Sequence, residues 1–343
     1  VIWYGDCHEV LRTFAAMGLQ ANTCVTSPPY FGLRDYGHGG QIGLEQTPEE
    51  YVQKLVEVFR EVRRVLRDDG TLWLNLGDSY ANDGKWGGSS GGKHANALHG
   101  NTGVGRGKTH TGLGPKQLIG IPWRVAFALQ ADGWYLRQEI IWAKPNPMPE
   151  SVKDRCTKSH EQIFLLSKSP RYYFDQEAIK EPIAASTKTR LAQNVEAQRG
   201  SDRVPGKTNG PMKAVRSKAN SFKREGSKRE QAIPGQTVGT HRPDRAESEY
   251  DLDTRSKRDV WTVATRPFKG AHFAVFPPDL IEPCVLAGCP EGGVVLDPFM
   301  GSGTTAMVAK RNGRQYLGCE LNPEYKPLIE ERLAAIDAPA SKR

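Results

Sequence analysis

The chain has 343 residues, enough for a large buried core and more than one average domain. With 38% hydrophobic and 25% charged residues it reads as a soluble globular protein, with no apolar run near the ~20 residues that span a bilayer, and so no membrane partner. The net charge of +8 is uneven, and the six cysteines (7, 24, 156, 284, 289, 319) contain no Cys-x-x-Cys pair, so neither a disulfide framework nor a metal site is indicated.

Val1–Tyr4 starts an apolar strand that closes on Gly5-Asp6. This N-terminus lacks the basic region and apolar segment of a signal peptide, so a cytoplasmic protein is expected. His8–Met17 has helical spacing at Val10, Leu11 and Phe14. Thr23-Cys24-Val25 reads as a buried strand. At Thr26-Ser27-Pro28-Pro29-Tyr30 the chain must leave the sheet, because neither proline can donate a ladder hydrogen bond. Such a stiff turn offers carbonyl oxygens and an aromatic face to a flat heterocycle bearing an amino group. Phe31–Gly43 is a glycine-rich loop. A clear helix follows: Thr47 is its N-cap, Pro48 sits at N1, and Glu50 completes a capping box. Tyr51, Leu55, Val58, Val62, Val65 and Leu66 form its apolar face. Asp68-Asp69-Gly70 is expected to end it, and Thr71–Leu76 to be a strand, the alternation of βαβ units.

Asn82–Lys116 is glycine-rich, nearly free of apolar residues, and basic through Lys85, Lys93, Arg106, Lys108 and Lys116. Its length suits a functional lid touching phosphates, or a mobile insert. Ile121–Asp132 is a helix with Pro122 in its first turn. Trp134–Trp142 is a strand ending in Lys144-Pro145-Asn146-Pro147. Gln162–Leu166 is a further strand, with Arg171–Phe174 as another candidate. From Ser186 to Glu230 twelve Lys/Arg oppose four acids, which accounts for the whole excess charge of the chain. A neutral body with one basic segment points to a polyanion contact, with Lys207, Lys213, Arg216, Lys218, Lys223, Arg224, Lys228 and Arg229 as the nucleic-acid contacts. A solvated, disordered insert is the alternative, and the two are compatible if the segment orders on nucleic acid. Structure is expected to return at Val260-Trp261, and Asp279–Gly288 reads as an apolar helix with Cys284 in the core.

The second informative stretch begins at Gly293. Val294-Val295-Leu296 is a buried strand that runs into Asp297-Pro298-Phe299-Met300-Gly301-Ser302-Gly303-Thr304-Thr305, then a helix through Ala306–Arg311. Glycines at a strand-to-helix turn let a ligand approach the backbone closely. The next strand, Gln315–Cys319, ends at Glu320, an acid at the distance that suits a ribose diol. Gly301–Ala306 also satisfies the dinucleotide fingerprint, which would allow a nicotinamide oxidoreductase. The preceding Asp297 argues against a pyrophosphate and for a cationic ligand.

Thr26–Tyr30 together with Asp297–Thr305 closely resembles the amino-methylating DNA methyltransferases, which modify cytosine N4 or adenine N6. The catalytic stretch precedes the cofactor stretch, an order that resembles the β group of that family. Lesser matches are Gly5-Asp6, Trp142-Ala143-Lys144-Pro145-Asn146 and His272-Phe273-Ala274-Val275-Phe276-Pro277. The resemblance implies an α/β fold, Rossmann-like, with a mostly parallel sheet, helices on both faces and permuted motifs. It implies S-adenosyl-L-methionine as cofactor. Asp297, Phe299, Gly301, Ser302, Gly303, Thr304 and Thr305 would hold its methionine end. Glu320, with Asn322 nearby, would accept from its ribose, Asp6 would accept from its adenine amine, and Phe273, Phe276 and Pro277 would close the pocket. At the catalytic turn of Ser27, Pro28, Pro29 and Tyr30, the Ser27 hydroxyl and Pro28 carbonyl would accept from the target amine while Tyr30 stacks on the base.

The expected organisation is a catalytic half at 1–180, a basic target-recognition region at 181–259, a cofactor half at 260–335 and a tail at 336–343. Serine at the first position of the catalytic tetrad favours cytosine N4 over adenine N6. The expected partner is double-stranded DNA, and a homodimer and a cognate restriction endonuclease are compatible with the reading. A catalytically inactive nucleic-acid-binding module is the remaining alternative.

Overall fold

The two apolar runs that feed the proline turn and the glycine turn lie far apart in sequence and side by side in one sheet. In the computed structural model, residues 1–33, 38–81, 111–191, 253–266 and 276–337 are described. The strands are β1 (Ile2–Tyr4), β2 (Ala21–Thr26), β3 (Leu66–Leu76), β4 (Tyr135–Ala143), β5 (His160–Ser167), β6 (Glu181–Pro182), β7 (Thr254–Arg255), β8 (Val260–Thr262), β9 (Val294–Asp297) and β10 (Gln315–Glu320). The helices are α1 (Cys7–Ala16), α2 (Pro48–Val65), α3 (Ile121–Ala131), α4 (Ala185–Leu191), α5 (Pro278–Gly288), α6 (Thr304–Arg311) and α7 (Lys326–Asp337). Two compact units result, one of Val1–Ile179 and Arg258–Arg343, the other of Lys180–Lys257.

In the first unit eight strands pair in the order β1-β10-β9-β2-β3-β5-β4-β8. Only β5 runs antiparallel to its neighbours. The central strands are buried on both faces, which explains their continuous apolar runs. Leu72, Leu74 and Leu76 of β3 pack with α1, α2 and α3, while Trp73 packs with α5 on the opposite face. Gly288 lets α5 press onto the sheet, since a Cβ there would stand 2.7 Å from Thr23 Oγ1 and Trp73 Nε1. No described helix is long and apolar enough to cross a membrane.

The second unit contains α4 and an antiparallel pair of β6 with β7, in which Arg255 Nε donates to Glu181 Oε1 at 2.9 Å. Lys207, Lys213, Arg216, Lys218, Lys223, Arg224, Lys228, Arg229 and most of the glycine-rich insert lie outside the described residues.

Three expectations change. Thr47 caps α2, accepting from Glu50 N at 3.1 Å, but the Glu50 carboxylate accepts from Gln46 N, one residue before the capping box would close. The helix ends at Val65 and β3 begins at once, so Asp68-Asp69-Gly70 lies inside the strand. Leu66 pairs with Ala21 and Thr71 with Thr23, and the residues between bulge out of the ladder. Arg171–Phe174 is not a strand. Its Phe174 ring stacks on Trp73 at 6.2 Å, so its aromatic residues cover the sheet rather than extend it.

Candidate active site

Parallel strands deliver their carboxyl ends to one edge of a sheet, and ligands bind outside that edge. Here β1 delivers Asp6, β2 delivers Ser27–Tyr30, β9 leads into Phe299–Ser302, and β10 delivers Glu320. The antiparallel β5 starts at the same edge and adds Glu161. Together they line an open cavity of about 840 Å³.

The glycine turn is held from beneath. Asp297 is 1% exposed, and its Oδ1 accepts from Thr26 Oγ1 at 2.6 Å and from Phe299 N at 3.0 Å. Its Oδ2 accepts from Thr305 Oγ1, also at 2.6 Å. Burial raises the Asp297 pKa to about 6, against the pull of these three donors. Gly301 and Gly303 adopt φ of 54° and 79°, a conformation that favours glycine. A Cβ at Gly303 would also meet Ile329 Cγ2 at 3.0 Å. From α7, Arg332 Nη1 donates to the Ser302 carbonyl (2.8 Å), Ser302 Oγ (2.6 Å) and Thr304 Oγ1 (3.0 Å), and so clamps the turn.

Two carboxylates flank the space above the turn. Glu320 accepts from Gly301 N at 2.6 Å and Asn322 N at 2.9 Å, and burial raises its pKa to about 7. Asp6 uses Oδ1 to cap α1, at 2.9 Å from His8 N. Its Oδ2 takes no hydrogen bond among the described residues. A ligand with hydroxyl donors near Glu320, an amine near Asp6 and a flat body between them fits this pair of acceptors. The left-handed glycines let such a ligand lie against bare backbone.

The proline turn is equally constrained. Tyr51 Oη donates to the Pro29 carbonyl at 2.8 Å, while the Pro28 carbonyl takes no hydrogen bond among the described residues, and Pro28 lines the cavity. Gly77 makes room for the Tyr30 ring, since a Cβ there would stand 2.5 Å from Tyr30 Cε2. The Tyr30 hydroxyl donates to Glu161 Oε2 (2.7 Å) and lies 3.1 Å from Asn75 Oδ1. Burial and the nearby Glu161 carboxylate hold its pKa well above the ordinary phenol range. Lys144 donates to Glu161 Oε1 and lies 4.2 Å from the Trp142 ring centroid. Lys158, whose pKa burial lowers, donates to the Asp78 carbonyl at 2.8 Å at the rim of the same cavity.

Ser27, Pro28, Pro29, Tyr30, Asp6, Phe276, Phe299, Gly301, Ser302, Thr304, Glu320 and Asn322 all line this cavity. Asp297, Thr305, Gly303 and Pro277 do not. Asp297 and Thr305 direct their polar atoms at each other, at Thr26 and at the Val25 carbonyl, and so shape the turn from beneath. Phe273 lies outside the described residues. Sequence reading missed Asn75, Glu161, Lys158 and Arg332. A charged residue opening the apolar strand at Glu161 was the available signal.

A family model described as a DNA methylase matches residues 21–331. The chain belongs to this DNA methylase family. Type II methyltransferase M.SmaI of Serratia marcescens is 43% identical over 333 residues, covering 96% of this chain and 89% of its own length. Among solved structures, PvuII DNA methyltransferase (cytosine-N4-specific) aligns with a TM-score of 0.54 at 16% identity, over 97% of this chain and 85% of that one. A DNA modification methylase from Thermus thermophilus, complexed with S-adenosyl-L-methionine, aligns with a TM-score of 0.51 at 22% identity, over 98% and 93% of the two chains. These likenesses bear out the expected α/β methyltransferase fold. Family membership sets aside the nicotinamide reading of Gly301–Ala306.

Proposed function

We propose that this chain methylates the exocyclic N4 amine of a cytosine flipped out of double-stranded DNA, at a specific sequence, with S-adenosyl-L-methionine as donor. The observation that carries the reading is the buried Thr26–Asp297 hydrogen bond. It joins the proline turn to the glycine turn and opens both on one cavity.

S-adenosyl-L-methionine, when bound, supplies a methyl group made electrophilic by its sulfonium. Glu320 and Asp6 supply acceptors for its ribose and adenine, and the Phe299–Ser302 backbone supplies its bed. The target amine is conjugated with the ring and poorly nucleophilic. Ser27 Oγ and the Pro28 carbonyl accept its N–H groups and favour a pyramidal nitrogen with an available lone pair. Tyr30 offers the base a stacking face, and holding both partners in one cavity supplies much of the rate. The amine is out of reach in a stacked duplex, so the base leaves the helix at a cost of a few kcal/mol. Phosphate contacts from the basic residues between Lys207 and Arg229 help offset that cost.

Serine at position 27 and the cytosine-N4-specific fold neighbour support cytosine over adenine. The Type II naming of the relatives supports a cytoplasmic protein with a cognate restriction endonuclease. The test is labelled methyl transfer to mixed-sequence DNA followed by nucleoside analysis. N4-methylcytosine is the expected product. N6-methyladenine as sole product replaces the cytosine assignment with the adenine one, and label in no DNA leaves an inactive binding module.

A further inference from the structure

Ser27 serves an amine only if its oxygen, not its hydrogen, faces the cavity. A serine hydroxyl rotates and can present either. The residues behind the proline turn fix the choice. Lys144 Nζ donates to Glu161 Oε1, and Asn75 Nδ2 donates to Glu161 Oε2 at 3.2 Å. An ionised carboxylate has nothing to donate, so the Tyr30 hydroxyl gives its hydrogen to Oε2, 2.7 Å away. The other neighbour of that hydroxyl, Asn75 Oδ1 at 3.1 Å, is also an acceptor. Asn75 Nδ2 is directed instead at Glu161 and at the Gln162 carbonyl, 3.1 Å away. The Tyr30 oxygen is left with lone pairs toward Ser27, whose hydroxyl donates to it across 3.4 Å. That link is long, as hydrogen bonds in substrate-free sites often are. Every link runs in one direction, from Ser27 toward Glu161.

Resting on the amine-methylation reading above, we propose that Glu161 is a specificity-determining positioning residue. Through Tyr30 it sets the polarity of the Ser27 hydroxyl, so that the pocket presents an acceptor to the flipped base. A base with an amino group at the reacting position satisfies that acceptor. Its deaminated counterpart brings a carbonyl oxygen against a lone pair, and an unpaired buried acceptor is costly. Cytosine is thereby distinguished from uracil. The same polarity distinguishes adenine from hypoxanthine, so the inference does not depend on which base is methylated.

The test uses duplexes of the sequence that the wild-type chain methylates, carrying at that position either the methylated base or its deaminated counterpart. Glu161→Gln keeps the shape and an acceptor but adds an amide donor, so the chain of hydrogen bonds can reverse. Tyr30→Phe keeps the ring and cuts the chain. Binding to both duplexes and to S-adenosyl-L-methionine is measured for each variant. Both variants narrow the preference for the amino base roughly tenfold while S-adenosyl-L-methionine affinity is unchanged. The double variant narrows it no further than Tyr30→Phe alone. Retention of the wild-type preference in either variant, or an equal loss of affinity for both duplexes, overturns the proposal. A wild-type chain that methylates no DNA overturns the reading beneath it, and this inference with it.

Discussion

Replacing Thr26 by valine removes one hydroxyl and almost no volume, so it isolates the hydrogen bond that joins the two turns. Thr26 and Asp297 are each 1% exposed, and their oxygens are 2.6 Å apart. A hydrogen bond to a charged group contributes about 1.5–3 kcal/mol, and loss of a donor from a buried carboxylate sits toward the upper end. Asp297 keeps Thr305 and Phe299 N, so the turn loosens without collapsing. The loss depends on pH. The Asp297 pKa is about 6, so its carboxylate is ionised at pH 8 and largely protonated at pH 5. Thr26→Val therefore destabilises the fold by about 2 kcal/mol at pH 8 and by roughly half that at pH 5. Denaturant unfolding at both pH values measures this, with Thr305→Val as a companion variant. An equal loss at the two pH values, or none at pH 8, refutes the argument that a charged Asp297 ties the motifs together.

Four further outcomes follow from the same geometry. Gly77→Ala puts a methyl 2.5 Å from Tyr30 Cε2 and displaces the ring, so methyl transfer falls at least about tenfold while S-adenosyl-L-methionine affinity holds, checked by single-turnover rates and calorimetry. Arg332→Met keeps the packing of α7 but removes the Nη1 group that donates to three oxygens of the glycine turn, and S-adenosyl-L-methionine affinity drops about tenfold or more. Glu320, raised to about 7, and Asp297, raised to about 6, both hold protons in the folded chain that the unfolded chain releases. Their contribution to stability is therefore greatest at low pH and is lost as pH rises through 6 to 7, so ligand-free melting temperature falls from pH 5 to pH 8. S-adenosyl-L-methionine affinity moves the opposite way, because an ionised Glu320 accepts more strongly than a protonated one, and a flat affinity across neutral pH would count against its ribose role.

The two turns were legible because their constraints are local. Prolines forbid strand continuation at Pro28 and Pro29, and left-handed glycines at Gly301 and Gly303 open a backbone to a ligand wherever the rest of the chain lies. Glu161 was not legible as a site residue. Its bond to Tyr30 spans 131 residues and exists because β5 pairs antiparallel with β3, which sets Asn75 opposite Ile163. The internal partner of Asp297 was not legible. Only the register of β2 against β9 shows that its carboxylate accepts from Thr26. The start of β3 was misplaced because the Asp68-Asp69-Gly70 run carries a turn composition, while pairing of Leu66 with Ala21 overrides it.

The sheet order has a consequence for how the chain comes off the ribosome. β1 and β2 emerge long before β9 and β10, yet β1 and β2 are not neighbours in the sheet: β10 and β9 sit between them. Until those arrive, β1 has no partner and one edge of β2 stays open. The early product thus carries a seam that only the late strands can close, and such non-local closure is slow. A chain interrupted before β9 therefore has the proline turn but neither its neighbour nor its anchor, so competence waits for β9 and β10.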